Sequence, residues 1–295
     1  MADLEHSMSA DALPISAIIV TRGKLARFER CLEYLEYFSD VHIVHSPDGD
    51  NDGRGLRDLC AKTLSYRYHN FIWDGKYPKK RQWCLDNLPL KHDWVFMLDA
   101  DEVLTKWLIE ELLALRATVF AEEGRYAGCF IKGAYVMDGN ILKYGLKNNK
   151  LALFKRSCFR YPVVDDLDAT GMGEIEGHYQ PVFMNRSRVS CKILQIKNPL
   201  VHHAFLCQTD HDIRHNKYAQ WEAVMIRNKG YPKDPVLWRE VLKSTYRKLP
   251  LRADISFLHS YVLKSGWRDG VGGFRLAKSR YDYYKNVSMK LRELN

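Results

Sequence analysis

Residues Trp94–Leu104 read WVFMLDADEVL, and this stretch decides the fold. Five large apolar residues run without a break into Asp99, Asp101 and Glu102, with only Ala100 among the acids. A short continuous apolar run is the pattern of a strand buried on both faces, as in a parallel sheet. Carboxylates at the end of such a strand are costly unless something positive meets them. The run therefore predicts a cationic partner elsewhere in the chain, or a ligand.

Working outward, the same apolar pattern recurs in ISAIIV (15–20) and in VHIVH (41–45), with a third short strand near YRYHNFIW (66–73). Between them lie helix-like segments. KLARFERCLEYLEYF (24–38) places Leu25, Phe28, Cys31, Leu32, Leu35 and Phe38 on one helical stripe. Further helices are predicted over GLRDLCAKTL (55–64), KKRQWCLDNL (79–88) and KWLIEELLALRATVF (106–120). Strands alternating with helices argue for an α/β fold with a parallel sheet. After residue 126 longer strands follow, YAGCFIKGAYVMDG and KLALFKR, then a loop-rich segment over 161–181. From about 206 the pattern is mostly helical. The expected organisation is a leading disordered segment (1–13), an α/β sheet domain (14–205), and a helical C-terminal region packed on it (206–295).

Composition bounds the class. The chain has 295 residues, 46% hydrophobic and 12% aromatic, enough for a large core. Its first dozen residues have no basic n-region followed by an apolar run, and no segment approaches the ~18 apolar residues of a spanning helix. Seven cysteines without a close pair suit a reducing compartment, so a cytoplasmic location is expected. The net charge of +9 is concentrated in the last hundred residues and admits nucleic acid, an anionic membrane or phosphorylated small molecules as partners.

In an open α/β sheet, ligands bind beyond the carboxyl ends of the strands. TRGK (21–24), the Asp- and Gly-rich loop after residue 45, and DADE (99–102) all fall there. In an extended segment Asp99 and Asp101 share a side. Two such carboxylates suit Mg2+ or Mn2+, whose other ligands are water and phosphate oxygens; dressing a helix N-terminus is the simpler use of the same residues. GKYPKKRQW (75–83) gathers four cations able to hold a diphosphate, or to form an ordinary basic turn. GMGEIEGHYQP (171–181) carries Glu174, Glu176 and His178 in a loop suited to a general base, or simply in a charged surface loop. NPLVHHAF (198–205) offers His202 or His203 as a metal ligand or as a core histidine. There is no GxxxxGK[ST], GxGxxG, GxSxG, CxxC or HExxH motif.

In the order SAIIVTR, VHIVHSPDGDNDG, KKRQWCLDNL and HDWVFMLDADE, the chain resembles the inverting family-2 glycosyltransferases of GT-A fold. KLALFKR, EIEGHYQP, NPLVHHAF, RHNKYAQWEA and GWRDGVGGFRLAKSRYDYY resemble the bacterial branch that builds the lipopolysaccharide inner core and related envelope glycans. The resemblance implies a GT-A, Rossmann-like mixed sheet flanked by helices, with a helical C-terminal extension. It implies transfer of a hexose, glucose being the best match, from a UDP-sugar to a saccharide or lipid-linked saccharide, with inversion and with Mg2+ or Mn2+. Thr21 and Arg22 would border the nucleotide base, with His45 where the family usually has an Asp. Lys80 and Arg81 would lie over the nucleotide. Asp99 would reach the ribose or metal, Asp101 and His202 would bind the metal, and Glu176, with Glu174 as runner-up, would be the base. The basic, aromatic C-terminal region would meet acceptor phosphates or an anionic membrane surface, the latter on the inner face of the cytoplasmic membrane.

Three departures bear on the donor base: Gly23 and Lys24 replace the usual Asn-Glu, His45 replaces Asp, and the loop after it is about two residues longer. The same fold could instead glycosylate a peptide or a small natural product. A nucleotidyltransferase would need a Gly-rich phosphate cradle after the first strand, which TRGKLARF is not. A nucleic-acid-binding protein would interleave its aromatics with a basic stripe, whereas here they are spread through apolar segments; no nucleic-acid partner is expected.

Overall fold

The computed structural model describes residues 12–22, 28–47, 53–63, 66–120, 125–167, 172–176, 179–184, 191–205, 208–234 and 236–294. Most of the leading segment 1–13 lies outside them, as do Gly23, Lys24, most of the loop after residue 46, and His178.

Four parallel strands form one half of the main sheet: β1 (Leu13–Arg22), β2 (Phe38–Ser46), β3 (Tyr66–Asn70) and β4 (Trp94–Asp99). They lie in the order β3-β2-β1-β4. The short β5 (Glu102–Val103) follows the acidic turn, and then come β6 (Tyr126–Met137), β7 (Asn140–Ile141) and β8 (Asn148–Lys155). β9 (Phe159–Arg160) and β10 (Val182–Phe183) form a separate two-stranded ribbon; β11 (Lys192–Gln195) and β12 (Leu200–His202) rejoin the main sheet. Beyond β4 the order continues β8-β6-β12-β5, with β8 antiparallel to both β4 and β6, so the sheet is mixed.

The continuous apolar runs are continuous because both faces of the sheet are covered. Ile15, Ala17 and Ile19 of β1 and Trp94, Phe96 and Leu98 of β4 enter one buried cluster. Ile18, Val95 and Met97, pointing the other way, enter a second.

Helices α1 (Arg54–Lys62), α2 (Lys80–Asn87) and α3 (Lys106–Ala114) fall where apolar periodicity predicts them, and a π turn (Arg116–Phe120) extends α3. The helix expected over 24–38 does not form in the described part. Two short 3-10 turns, Glu29–Leu32 and Leu35–Tyr37, stand there instead. Tyr34 adopts φ +69°, a left-handed conformation that interrupts a helix. Phe28, Cys31, Leu35 and Phe38 are nevertheless buried, so the stripe fixes what is inside without fixing the conformation.

The C-terminal part is helical: α4 (Gln208–Arg227), α5 (Leu237–Lys248), α6 (Arg252–Leu258) and α7 (Gly270–Glu293). α4 packs on α7 through a small cluster of Ala219, Ala223 and Val287. No described helix is long and apolar enough to cross a membrane.

Candidate active site

Register brings the loops together. Val20 pairs with Asp99, Thr21 with His45 and Arg22 with Ser46, so β1, β2 and β4 end on one rim. From that rim a cavity of about 580 Å3 extends to the C-terminal helices. Thr21, Arg22, Lys80, Arg81, Asp99, Asp101, Glu174, Glu176 and His202 all line it. His45 is the exception. Its ring is wholly buried beside Tyr68 and beneath Gly53, where a Cβ would come within 2.6 Å of the imidazole.

The cationic partner foreseen for the acidic turn is present. Asp99 accepts from Arg81 at 2.6 Å and from Lys150 of β8 at 3.0 Å. Burial acts to raise its pKa, but these two cations outweigh that and hold it well below the carboxylate range. Lys150 also bonds Glu102, whose other oxygen is buried without a hydrogen-bond partner among the described residues. Burial pushes Glu102 upward against the pull of Lys150.

Asp101 faces differently. β12 pairs antiparallel with β5, setting His202 opposite Glu102 and bringing its Nε2 to 3.4 Å from the Asp101 carboxylate. The ring stacks on Tyr135 of β6. Arg214 of α4 reaches the other Asp101 oxygen at 3.3 Å. Burial would raise Asp101, yet His202 draws it down to about 2; burial would lower His202, yet Asp101 raises it.

Among the described residues no three His, Cys, Asp or Glu side chains form a closed metal cage. Asp101 and His202 still fit a hard cation, because such ions keep waters and phosphate oxygens as their remaining ligands. A site of two protein ligands, with Asp99 held by cations beside it, suits a metal shared with a diphosphate and not a structural one.

The basic run before α2 divides into separate tasks. Lys79 is buried against Asp166 at 2.8 Å. Lys80 donates to the Thr21 carbonyl at 2.7 Å, to Ser46 Oγ at 2.6 Å and to Glu174 at 3.4 Å. It ties together two strand ends and the 172–176 loop, and burial lowers its pKa against the pull of Glu174. Arg81 alone turns its guanidinium to the acidic turn. Glu176 receives the backbone N–H of Arg81 at 2.7 Å and of Gln82 at 3.1 Å, and so caps the first turn of α2. Burial raises its pKa, opposed by Arg81 and those N–H groups.

The far wall is contributed by residues that the sequence did not single out. Arg214, Tyr218 and Glu222 recur every four residues along α4; Ser279, Arg280, Tyr283 and Tyr284 line one face of α7. Arg280 donates to Ser256 Oγ and makes no ion pair among the described residues.

The chain has a GT-A type of fold, with a parallel β3-β2-β1-β4 half-sheet, an Asp-x-Asp turn at its rim and an antiparallel extension that returns a histidine to that turn. No protein-family model matches the chain. By sequence it resembles a lipopolysaccharide core biosynthesis glycosyltransferase, LpsC of Rhizobium meliloti (strain 1021). The two are 24% identical over 263 residues, 89% of this chain and 86% of that protein. An uncharacterized glycosyltransferase of Rickettsia bellii (strain RML369-C) is 29% identical over 118 residues, 40% of this chain and 37% of its own. Among solved structures, the mannosyltransferase PcManGT from Pyrobaculum calidifontis, in complex with GDP-Man and Mn2+, matches with a TM-score of 0.50 and 13% identity. That match covers 95% of this chain and 87% of the other.

Proposed function

We propose that the protein is a metal-assisted, inverting glycosyltransferase that moves a hexose from a UDP-sugar to a saccharide hydroxyl in lipopolysaccharide core or envelope glycan assembly. The observation that carries this reading is the Asp101–His202 pair at the strand rim, opening onto a cavity that also holds Glu176. The sheet half of the chain (14–205) takes the donor, and the helical region (206–295) takes the acceptor.

Asp101 and His202 would hold Mg2+ or Mn2+, which when bound neutralises charge on the departing diphosphate. Thr21 and Arg22 border the nucleotide. Arg81 and Lys150, aimed by Asp99 and Glu102, present positive charge to the phosphates, and Arg214 adds a third cation. The acceptor lies against the tyrosines and Arg280 of the far wall. Its hydroxyl oxygen attacks the anomeric carbon from the face opposite the diphosphate, and its proton passes to Glu176. The bond between that carbon and the phosphate oxygen breaks, and nucleoside diphosphate leaves with the electron pair. One displacement inverts the anomeric centre. Desolvation suits Glu176 to this task, since a raised carboxylate pKa makes a stronger base at neutral pH.

A thermal-shift panel of UDP-glucose, UDP-GlcNAc and GDP-mannose, each with and without Mn2+, tests the donor site. A rise in melting temperature with a UDP-sugar that requires Mn2+ is expected; no shift with any nucleotide-sugar would overturn the proposal.

A further inference from the structure

Helix α5 is turned inside out. Four of its polar side chains face the protein. Arg239 lies over the Phe130 ring at 4.3 Å, Lys243 bonds the buried Asp234 at 2.6 Å, and Arg247 stacks on Tyr231 at 3.8 Å. The Tyr246 hydroxyl donates to the Arg252 carbonyl at 2.8 Å. No residue of α5 is buried. The opposite face carries Leu237, Trp238, Val241 and Leu242, which are 80%, 64%, 56% and 60% exposed. Spacing of i, i+1, i+4 and i+5 sets these four on one stripe, the stripe that a helix of a globular protein buries.

Further exposed apolar residues follow α5 in the chain. Leu251, Ile255, Leu258 and Val262 repeat at intervals of four, three and four residues and are also exposed, as are Trp267 and Val271. Four large apolar residues exposed on one helix stripe mark an interaction site. Its surroundings say what kind. Four of the eight Lys and Arg in residues 237–275, namely Lys248, Lys264, Arg268 and Arg275, are exposed, against one exposed acid, Asp254.

We infer that this face docks on an anionic phospholipid surface, with α5 lying in the plane of the interface. Exposed Leu and Trp flanked by Lys and Arg are what an interfacial helix presents to acyl chains and acidic headgroups. A second copy of the chain would fit less well, because a two-fold contact would bring these basic surroundings face to face. The inner face of the same helix lines the active-site cavity through Lys243, Tyr246 and Arg247. Docking therefore sets the acceptor end of the cavity at the membrane surface, where a lipid-linked saccharide is held; this second step rests on the proposed transferase function, and the docking itself does not.

The test is co-sedimentation of the full chain with vesicles of phosphatidylglycerol and phosphatidylcholine, against phosphatidylcholine alone. Partners in the experiment are the quadruple variant L237S/W238S/V241S/L242S and the single variant Trp238→Ser, with nucleotide-sugar thermal shift measured on each. Wild type is expected to pellet with anionic vesicles at low salt, and the quadruple variant to lose at least about tenfold of that partitioning while keeping its thermal shift. Trp238→Ser, which disturbs the fold least, should fall between the two. Equal pelleting of wild type and variants, or none by wild type, would overturn docking through α5. So would a wild-type dimer in light scattering that becomes monomeric in the variant without vesicle binding. Vesicle binding that depends on α5 in a protein with no nucleotide-sugar shift would retain the docking and overturn the transferase reading alone.

Discussion

His202 Nε2 lies 3.4 Å from the Asp101 carboxylate because a three-residue strand, β12, pairs back onto the two-residue β5 directly after the acidic turn. This pair makes the turn more than an Asp-x-Asp sequence. Asp101→Asn should leave the melting temperature of the free protein within a degree or two and abolish the Mn2+-dependent part of nucleotide-sugar binding. His202→Ala should weaken Mn2+ binding in the presence of UDP by about 10–100-fold. Calorimetric titration checks both, and unchanged affinity in Asp101→Asn would remove this residue from the metal site.

The base is tested at Glu176. Glu176→Gln keeps an oxygen able to accept the two α2 N–H groups, so the cap survives, but the side chain no longer takes up a proton. It should lower kcat by about two to four orders of magnitude with donor affinity little changed. If Glu174→Gln shows that loss and Glu176→Gln does not, the base is the neighbour that holds Lys80.

Arg280 tests the acceptor wall. It projects from α7 without a carboxylate partner among the described residues, so Arg280→Ala leaves no buried acid stranded. The variant should raise KM for the acceptor by roughly tenfold or more, as expected for one charge-assisted hydrogen bond, and leave KM for the donor unchanged. Steady-state kinetics varying each substrate in turn separate the two; a change confined to the donor would move Arg280 out of the acceptor site.

Away from the cavity, Asp40 offers a test of acid stability. Burial would raise its pKa, but hydrogen bonds from His42 and Ser16 and the Lys91 N–H outweigh this and hold it well below the ordinary value. A group depressed in the folded state stabilises above its unfolded pKa, about 4, and loses that contribution as pH falls through the folded pKa. Asp40→Asn should therefore cost about 1–3 kcal/mol at pH 7, and the gap to wild type should close below pH 4. Urea unfolding at pH 7, 5 and 3 measures it; a constant gap would contradict the assignment.

What was legible in the sequence followed from burial. WVFML and ISAIIV had to be strands covered on both faces, and the acids after WVFML had to find a cation. Which cation was not legible. Lys79, Lys80 and Arg81 are adjacent and chemically alike in sequence, yet one pairs with Asp166, one braces two strand ends and one meets Asp99. Lys150 and Arg214 come from an antiparallel strand and a distant helix, and only tertiary pairing brings them to the turn. The 24–38 segment misled because its apolar spacing is helical while Tyr34 is left-handed. Over 237–248 the helix was legible, but periodicity does not tell which face looks inward.

The most direct measurement is mass-spectrometric detection of transfer. The protein, Mn2+, UDP-glucose and a deacylated lipopolysaccharide-core acceptor are incubated, and the anomeric configuration of the product is read by NMR. A product heavier by one hexose, with the configuration opposite to that of the donor and absent in Asp101→Asn, is the expected result. Failure of every nucleotide-sugar in the panel to bind or to be turned over, by a protein shown to be folded, would contradict a donor site at the Asp101–His202 rim.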